Sequence, residues 1–105
     1  MGYEKFLTKS DAQVAKNIRT IAKESSCVFF TQHVKVRMNE RKVTAPEVLD
    51  CIRNGTIRRE PEPSRDGQSL ECRMERYVAG RNLAVVVAIC DENPDIILVT
   101  VFLMD

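Results

Sequence analysis

Apolar residues recur every three or four positions through the first half of the chain, then every second position or without a break in the second half. Over residues 10–25, Val14, Ile18, Ile21 and Ala22 share one stripe, with Lys16, Arg19, Lys23 and Glu24 mostly elsewhere. This is the pattern of an amphipathic helix. Ser10 is placed to cap it, and Gln13 holds the third position of a capping box. Cys27-Val28-Phe29-Phe30 reads as either a brief strand or an extended connector. A second helix starts at Thr31 and reaches Arg41, with Val34 and Met38 four apart toward the core. Thr44-Ala45-Pro46-Glu47 is another capping box, in which proline is tolerated because first-turn N–H groups lack an intrahelical acceptor. Val48, Leu49 and Ile52 supply the buried face of this third helix, and Gly55 is its expected left-handed stop.

Beyond Gly55 the period changes. Residues 56–59 read as a short strand closed by Pro61 and Pro63, and 60–69 as a loop. Leu70, Cys72 and Met74 alternate with Glu71, Arg73 and Glu75, as in a half-buried strand. Gly80-Arg81-Asn82 is read as a tight turn into an unbroken apolar run over 83–90, which suits a central strand. Residues 91–95 form the next turn, and Ile96–Leu103 is a final strand. Short turns make the last three strands an antiparallel meander. The expected architecture is α+β, with N-terminal helices on one face of a curved, mainly antiparallel four-stranded sheet.

A chain of 105 residues, 44% hydrophobic and 30% charged, suits one globular domain spanning 1–105. No apolar run approaches the roughly 20 residues of a membrane helix, and Met-Gly-Tyr-Glu-Lys-Phe does not read as a signal peptide. A net charge of +1 predicts no strong bulk attraction to nucleic acid, though a local basic site remains open. Cys27, Cys51, Cys72 and Cys90 form no CxxC pair, and the lone His33 has no ligand-spaced neighbour. Free, core-packed thiols in a reduced cytoplasm are therefore expected, with no metal and no cofactor.

His33, Arg37 and Arg41 are spaced i, i+4, i+8 and drift by only about 80° around a helix. They share a stripe adjoining the Val34/Met38 face, with a rise of about 12 Å from first to last. In the first turn, the positive end of the macrodipole favours a neutral His33, as a general base requires. The plainer reading is a solvated face on which Arg37 pairs with Glu40. A second irregularity is Arg76, which continues the apolar parity of 70, 72 and 74 while Tyr77 falls on the polar parity. Either a bulge near Glu75 resets the register or Arg76 lines a site. Arg73 reads as a surface charge and Thr100 as a buried-strand hydroxyl. Arg58 and Arg59 border the loop, facing an acidic ligand or simply solvated on an edge strand.

The run His33-x3-Arg37-x3-Arg41-x2-Thr44-x2-Glu47-Val48, then Asn54-Gly55-x-Ile57 and the ending Val99-Thr100-Val101-Phe102, resembles a bacterial family known as domain of unknown function 4258. The match covers about residues 30–103 and leaves the 10–25 helix outside as an addition. The resemblance implies a fold similar to RelE- and BrnT-type toxins, which cleave RNA without metal by attack of a ribose 2′-hydroxyl on the adjacent phosphate. In that light His33, Arg37 and Arg76 are the candidate catalytic residues, and Arg41, Tyr77 and Arg58 the candidate substrate-binding ones. RNA and a cognate antitoxin or other regulatory protein are the implied partners. The rival reading is a non-catalytic protein- or nucleic-acid-binding regulatory domain on the same scaffold, which the near-zero charge favours. The catalytic reading requires His33, Arg37 and Arg76 to gather at one open hollow.

Overall fold

The computed structural model describes residues 4–90 and 95–104. A single helical turn, α1 (Glu4–Leu7), precedes α2 (Asp11–Ala22), whose box is formed as expected: the Ser10 hydroxyl accepts from the Gln13 N–H and Gln13 bonds back. A short 3-10 turn (Ser25–Cys27) leads into β1 (Val28–Phe30), so this segment is a strand. Then come α3 (Gln32–Arg41) and α4 (Ala45–Asn54), followed by β2 (Thr56–Ile57) and β3 (Glu62–Pro63). The long strands are β4 (Leu70–Val78), β5 (Arg81–Ile89) and β6 (Ile96–Leu103).

The fold is α+β, and its sheet is mainly antiparallel, with strand order β1-β6-β5-β4-β2 and β3 paired to β4. Six strands replace the expected four. One addition is β1, which lies parallel to β6, with Val28 opposite Ile96. The other is β3, where Glu62 and Pro63 pair with Glu71 and Leu70 inside the expected loop. Strand β2 ends at Ile57, short of the 56–59 expected. The antiparallel β4-β5-β6 meander is present. Of the turn expected at 91–95, residues 91–94 lie outside the described residues. No helix among the described residues is long and apolar enough to cross a membrane.

Two turns differ from expectation. Gly55 caps α4 in an extended conformation (φ −80°, ψ 179°), not a left-handed one, because the chain runs straight into β2. The hairpin between β4 and β5 turns on Ala79-Gly80, both at positive φ (51° and 80°), with Val78 paired to Arg81. Two positive-φ residues match the right-handed strand twist.

Strand alternation divides the sheet into two faces. Leu70, Cys72 and Met74 of β4, Leu83, Val85, Val87 and Ile89 of β5, and Ile96, Leu98 and Val101 of β6 are buried with Val14, Ile18, Val34, Val48 and Ile52 of the helices. All helices thus cover one face. Parity is kept to the end of β6 by a bulge: Val86 opposes Thr100 and Val87 opposes Leu98, leaving Val99 unmatched. The opposite face carries Glu71, Arg73, Glu75 and Tyr77 on β4, Asn82, Ala84, Val86 and Ala88 on β5, and Ile97, Thr100 and Phe102 on β6.

Candidate functional site

Helix α3 begins where its cap is tied to the sheet. The Thr31 hydroxyl accepts from the Val34 N–H at 3.1 Å and donates to the Leu98 carbonyl at 2.8 Å. His33, in that first turn, is exposed, and its side chain takes part in no hydrogen bond or ion pair among the described residues. Arg37 donates to Glu40 at 2.9 Å, and Arg41 lies 3.6 Å from the same carboxylate oxygen. The stripe is therefore real as a stripe, but its two guanidinium groups converge on Glu40, as in the solvated-face reading.

Arg76 sits elsewhere. The β4–β5 register runs unbroken from Leu70–Ile89 to Val78–Arg81, so there is no bulge at Glu75. Arg76 keeps the helix-facing parity, emerges beyond the packed core, and meets Asp50 of α4 at 3.4 Å with both side chains well exposed. From Leu98, where α3 is anchored, Arg76 lies two strands across and four residues along the register. Those steps amount to about 10 Å and about 13 Å. Helix α4, packed on β4 and β5, occupies the intervening face. Arg37 is engaged by Glu40 and Arg76 by Asp50, and the hollow that Arg76 lines includes neither His33 nor Arg37.

The open face of the sheet gathers a different set. Arg73 is not a free surface charge: its Nε donates to Glu75 at 2.8 Å, and its guanidinium lies 5.5 Å from the Phe102 ring centre. Among the described residues, Glu75 is the one charged residue that is buried, at 9% exposure. Small Ala84, directly across from Glu75 on β5 and fully buried, leaves a floor over which these longer side chains close. Two hollows flank the Arg73–Glu75 pair. One, about 90 Å³, is lined by Arg58, Glu75, Arg76, Tyr77, Asn82 and Met104. The other, about 210 Å³, lies under the chain leaving β2 and includes Arg59, Glu60, Glu62, Arg73, Val86 and Phe102. The structure therefore brings three of the sequence candidates, Arg58, Arg76 and Tyr77, to one place, and Tyr77 is 66% exposed there. Alternation alone marks Glu75 as an ordinary solvent-side residue; the signal that sets it apart in the sequence is its place between arginines at 73 and 76.

Other polar residues are structural. Arg81 donates to the Arg41 and Lys42 carbonyls, at 3.2 and 3.0 Å, and to both Glu47 oxygens at 3.2 Å. It thereby joins the end of α3 to the start of α4. The Thr44 backbone N–H, and less strongly the Thr44 hydroxyl and Arg81, hold the Glu47 carboxyl below its ordinary range. Burial pushes the Cys51 and Cys72 thiols up to about 12, so they are inert packing groups. Among the described residues, no cluster of three or more His, Cys, Asp or Glu could hold a metal ion.

No curated protein and no solved structure matches the chain. A family model matches residues 30–103, which takes in α3, α4 and the five strands after them, together with Phe30 at the end of β1, and leaves α2 outside. The chain belongs to the family described as domain of unknown function (DUF4258).

Proposed function

We propose that the chain is a small, toxin-like endoribonuclease that works without metal, with its reactive centre at Glu75 on the open sheet face. One observation carries the reading: a nearly buried carboxylate, fixed by Arg73, lines a hollow shared with Arg58 and an exposed tyrosine. The reaction class is that of RelE- and BrnT-type toxins, which the family resemblance implies. Arg73 holds Oε2 of Glu75, which leaves Oε1 to take the proton of a ribose 2′-hydroxyl. The resulting alkoxide attacks the adjacent phosphorus and the bond from phosphorus to O5′ breaks. The products are a 2′,3′-cyclic phosphate and a 5′-hydroxyl whose proton comes from the Tyr77 phenol. Arg58 and Arg73 neutralise charge on the phosphorane, and Tyr77 also offers a stacking face to an unpaired base. Arg76, held at Asp50, sets the rim. A cognate antitoxin or other regulatory protein would restrain the enzyme in the cytoplasm by covering this face.

Purified protein is expected to cut single-stranded RNA in EDTA. Removing the base by Glu75→Gln lowers the rate by about 10²–10⁴, while His33→Ala cuts at the parental rate. Circular dichroism checks that both variants fold. An active Glu75→Gln protein overturns the assignment of the base. Tight RNA or protein binding with no cleavage by the parent protein favours the non-catalytic regulatory reading instead.

A further inference from the structure

A different face of the molecule gathers positive charge without opposing carboxylates. Lys16, Arg19 and Thr20 of α2, Lys23 at its C-terminal cap, and Arg53 and Asn54 of α4 line a hollow of about 420 Å³. Four of the six side chains are cationic and none is acidic. Among the described residues, none of the four cations makes an ion pair. Two are held rigidly: Arg19 donates to the Gly55 carbonyl at 3.0 Å, and Arg53 donates to the Ala22 carbonyl at 2.7 Å and the Ser25 hydroxyl at 2.9 Å. Each guanidinium caps the end of the other helix and keeps N–H groups to spare. Lys16 and Lys23 are exposed on either side and stand seven residues apart. On a helix that separation is about 10 Å.

We propose that this surface binds the sugar-phosphate backbone of single-stranded RNA, as a docking site separate from the Glu75 hollow. The lining itself favours phosphate over an acidic protein segment. It holds no aliphatic or aromatic side chain, whereas protein interfaces anchor on buried apolar or aromatic groups. Phosphate contacts require only cations, hydroxyls and amides, which are what the six residues supply. Four of its six residues, Lys16 to Lys23, lie outside the stretch matched to the family, and Arg53 and Asn54 lie within it, so the surface spans the seam between the addition and the common core.

The test uses the whole protein and a labelled, uncleavable 2′-O-methyl RNA of about 12 nucleotides, within the usual span of single-strand sites. Affinity is measured by fluorescence anisotropy over a series of KCl concentrations. Lys16→Ala/Lys23→Ala is expected to bind more weakly for every sequence tried. The slope of log affinity against log salt should flatten by about 1.4, the loss of two single-strand phosphate contacts. Unchanged affinity and slope in the double variant overturn the proposal, as does displacement of the RNA by hepta-glutamate at equal charge concentration. Because the probe cannot be cleaved, failure of the endoribonuclease reading leaves this result intact.

Discussion

An added Cβ at Gly55 would stand 2.9 Å from the Glu75 carbonyl and closer still to that of Cys51. Both are backbone atoms in the seam between α4 and β4, so neither can swing aside. Gly55→Ala should cost about 1–3 kcal/mol by overpacking, read as a lower urea midpoint with an unchanged slope. Ala79 is the opposite case, a residue with a Cβ held at φ 51°. Relieving that left-handed strain is worth roughly 1–2 kcal/mol, set against about 0.5–1 for glycine's extra freedom when unfolded. Ala79→Gly should therefore raise the midpoint slightly. Neither position could be assigned from the chain alone. A glycine after a helix suggests a left-handed stop, yet here it answers a neighbour twenty residues away in β4.

Among the elements, α4 carries its own start signal. Its Thr44–Glu47 box closes within four residues, with Thr44 N–H donating to Glu47 at 2.8 Å, which is why it was legible in the sequence. Thr44→Ala should cost about 1 kcal/mol, the usual value of an N-cap. Glu47 titrates below its ordinary value of 4.5 in the folded chain. Its stabilising contribution is thus complete above about 4.5, the unfolded carboxyl's range, and is lost as pH falls through the lower folded value. Stability measured from pH 6 to pH 3 should decline less steeply in Glu47→Gln than in the parent. Arg81, which ties this box to the end of α3, was read only as part of a turn, because its partners lie about forty residues away. The parity puzzle at Arg76 and Tyr77 had the same origin. It is settled by Asp50 on α4, not by anything within β4.

For the molecule as a whole, the four thiols divide into two classes that report on global opening. Cys51 and Cys72 are buried, and Cys51 donates to the Met74 carbonyl at 3.3 Å, while Cys27 and Cys90 are half-buried. Under native conditions a thiol reagent should label Cys27 and Cys90 first, reaching Cys51 and Cys72 only when the core opens. Mass spectrometry over time would count the adducts, and one common rate for all four would contradict the packing. The sheet's central meander and the helix-covered face were readable from periodicity, because period and parity are local properties. The site was not, because it depends on which long side chains meet across strands. A net charge of +1 likewise hid a face carrying four cations.

The parallel pairing of β1 with β6 has a consequence for biosynthesis. Val28–Phe30 leaves the ribosome well before its partners Ile96, Ile97 and Leu98, which lie 68 residues further along the chain. Until then one flank of the nascent sheet has nothing to zip onto, and the Thr31 hydroxyl cannot reach its Leu98 acceptor. Contacts this remote in sequence slow folding. Final closure therefore awaits translation of β6, and a chain stalled before it would expose an adhesive edge to chaperones.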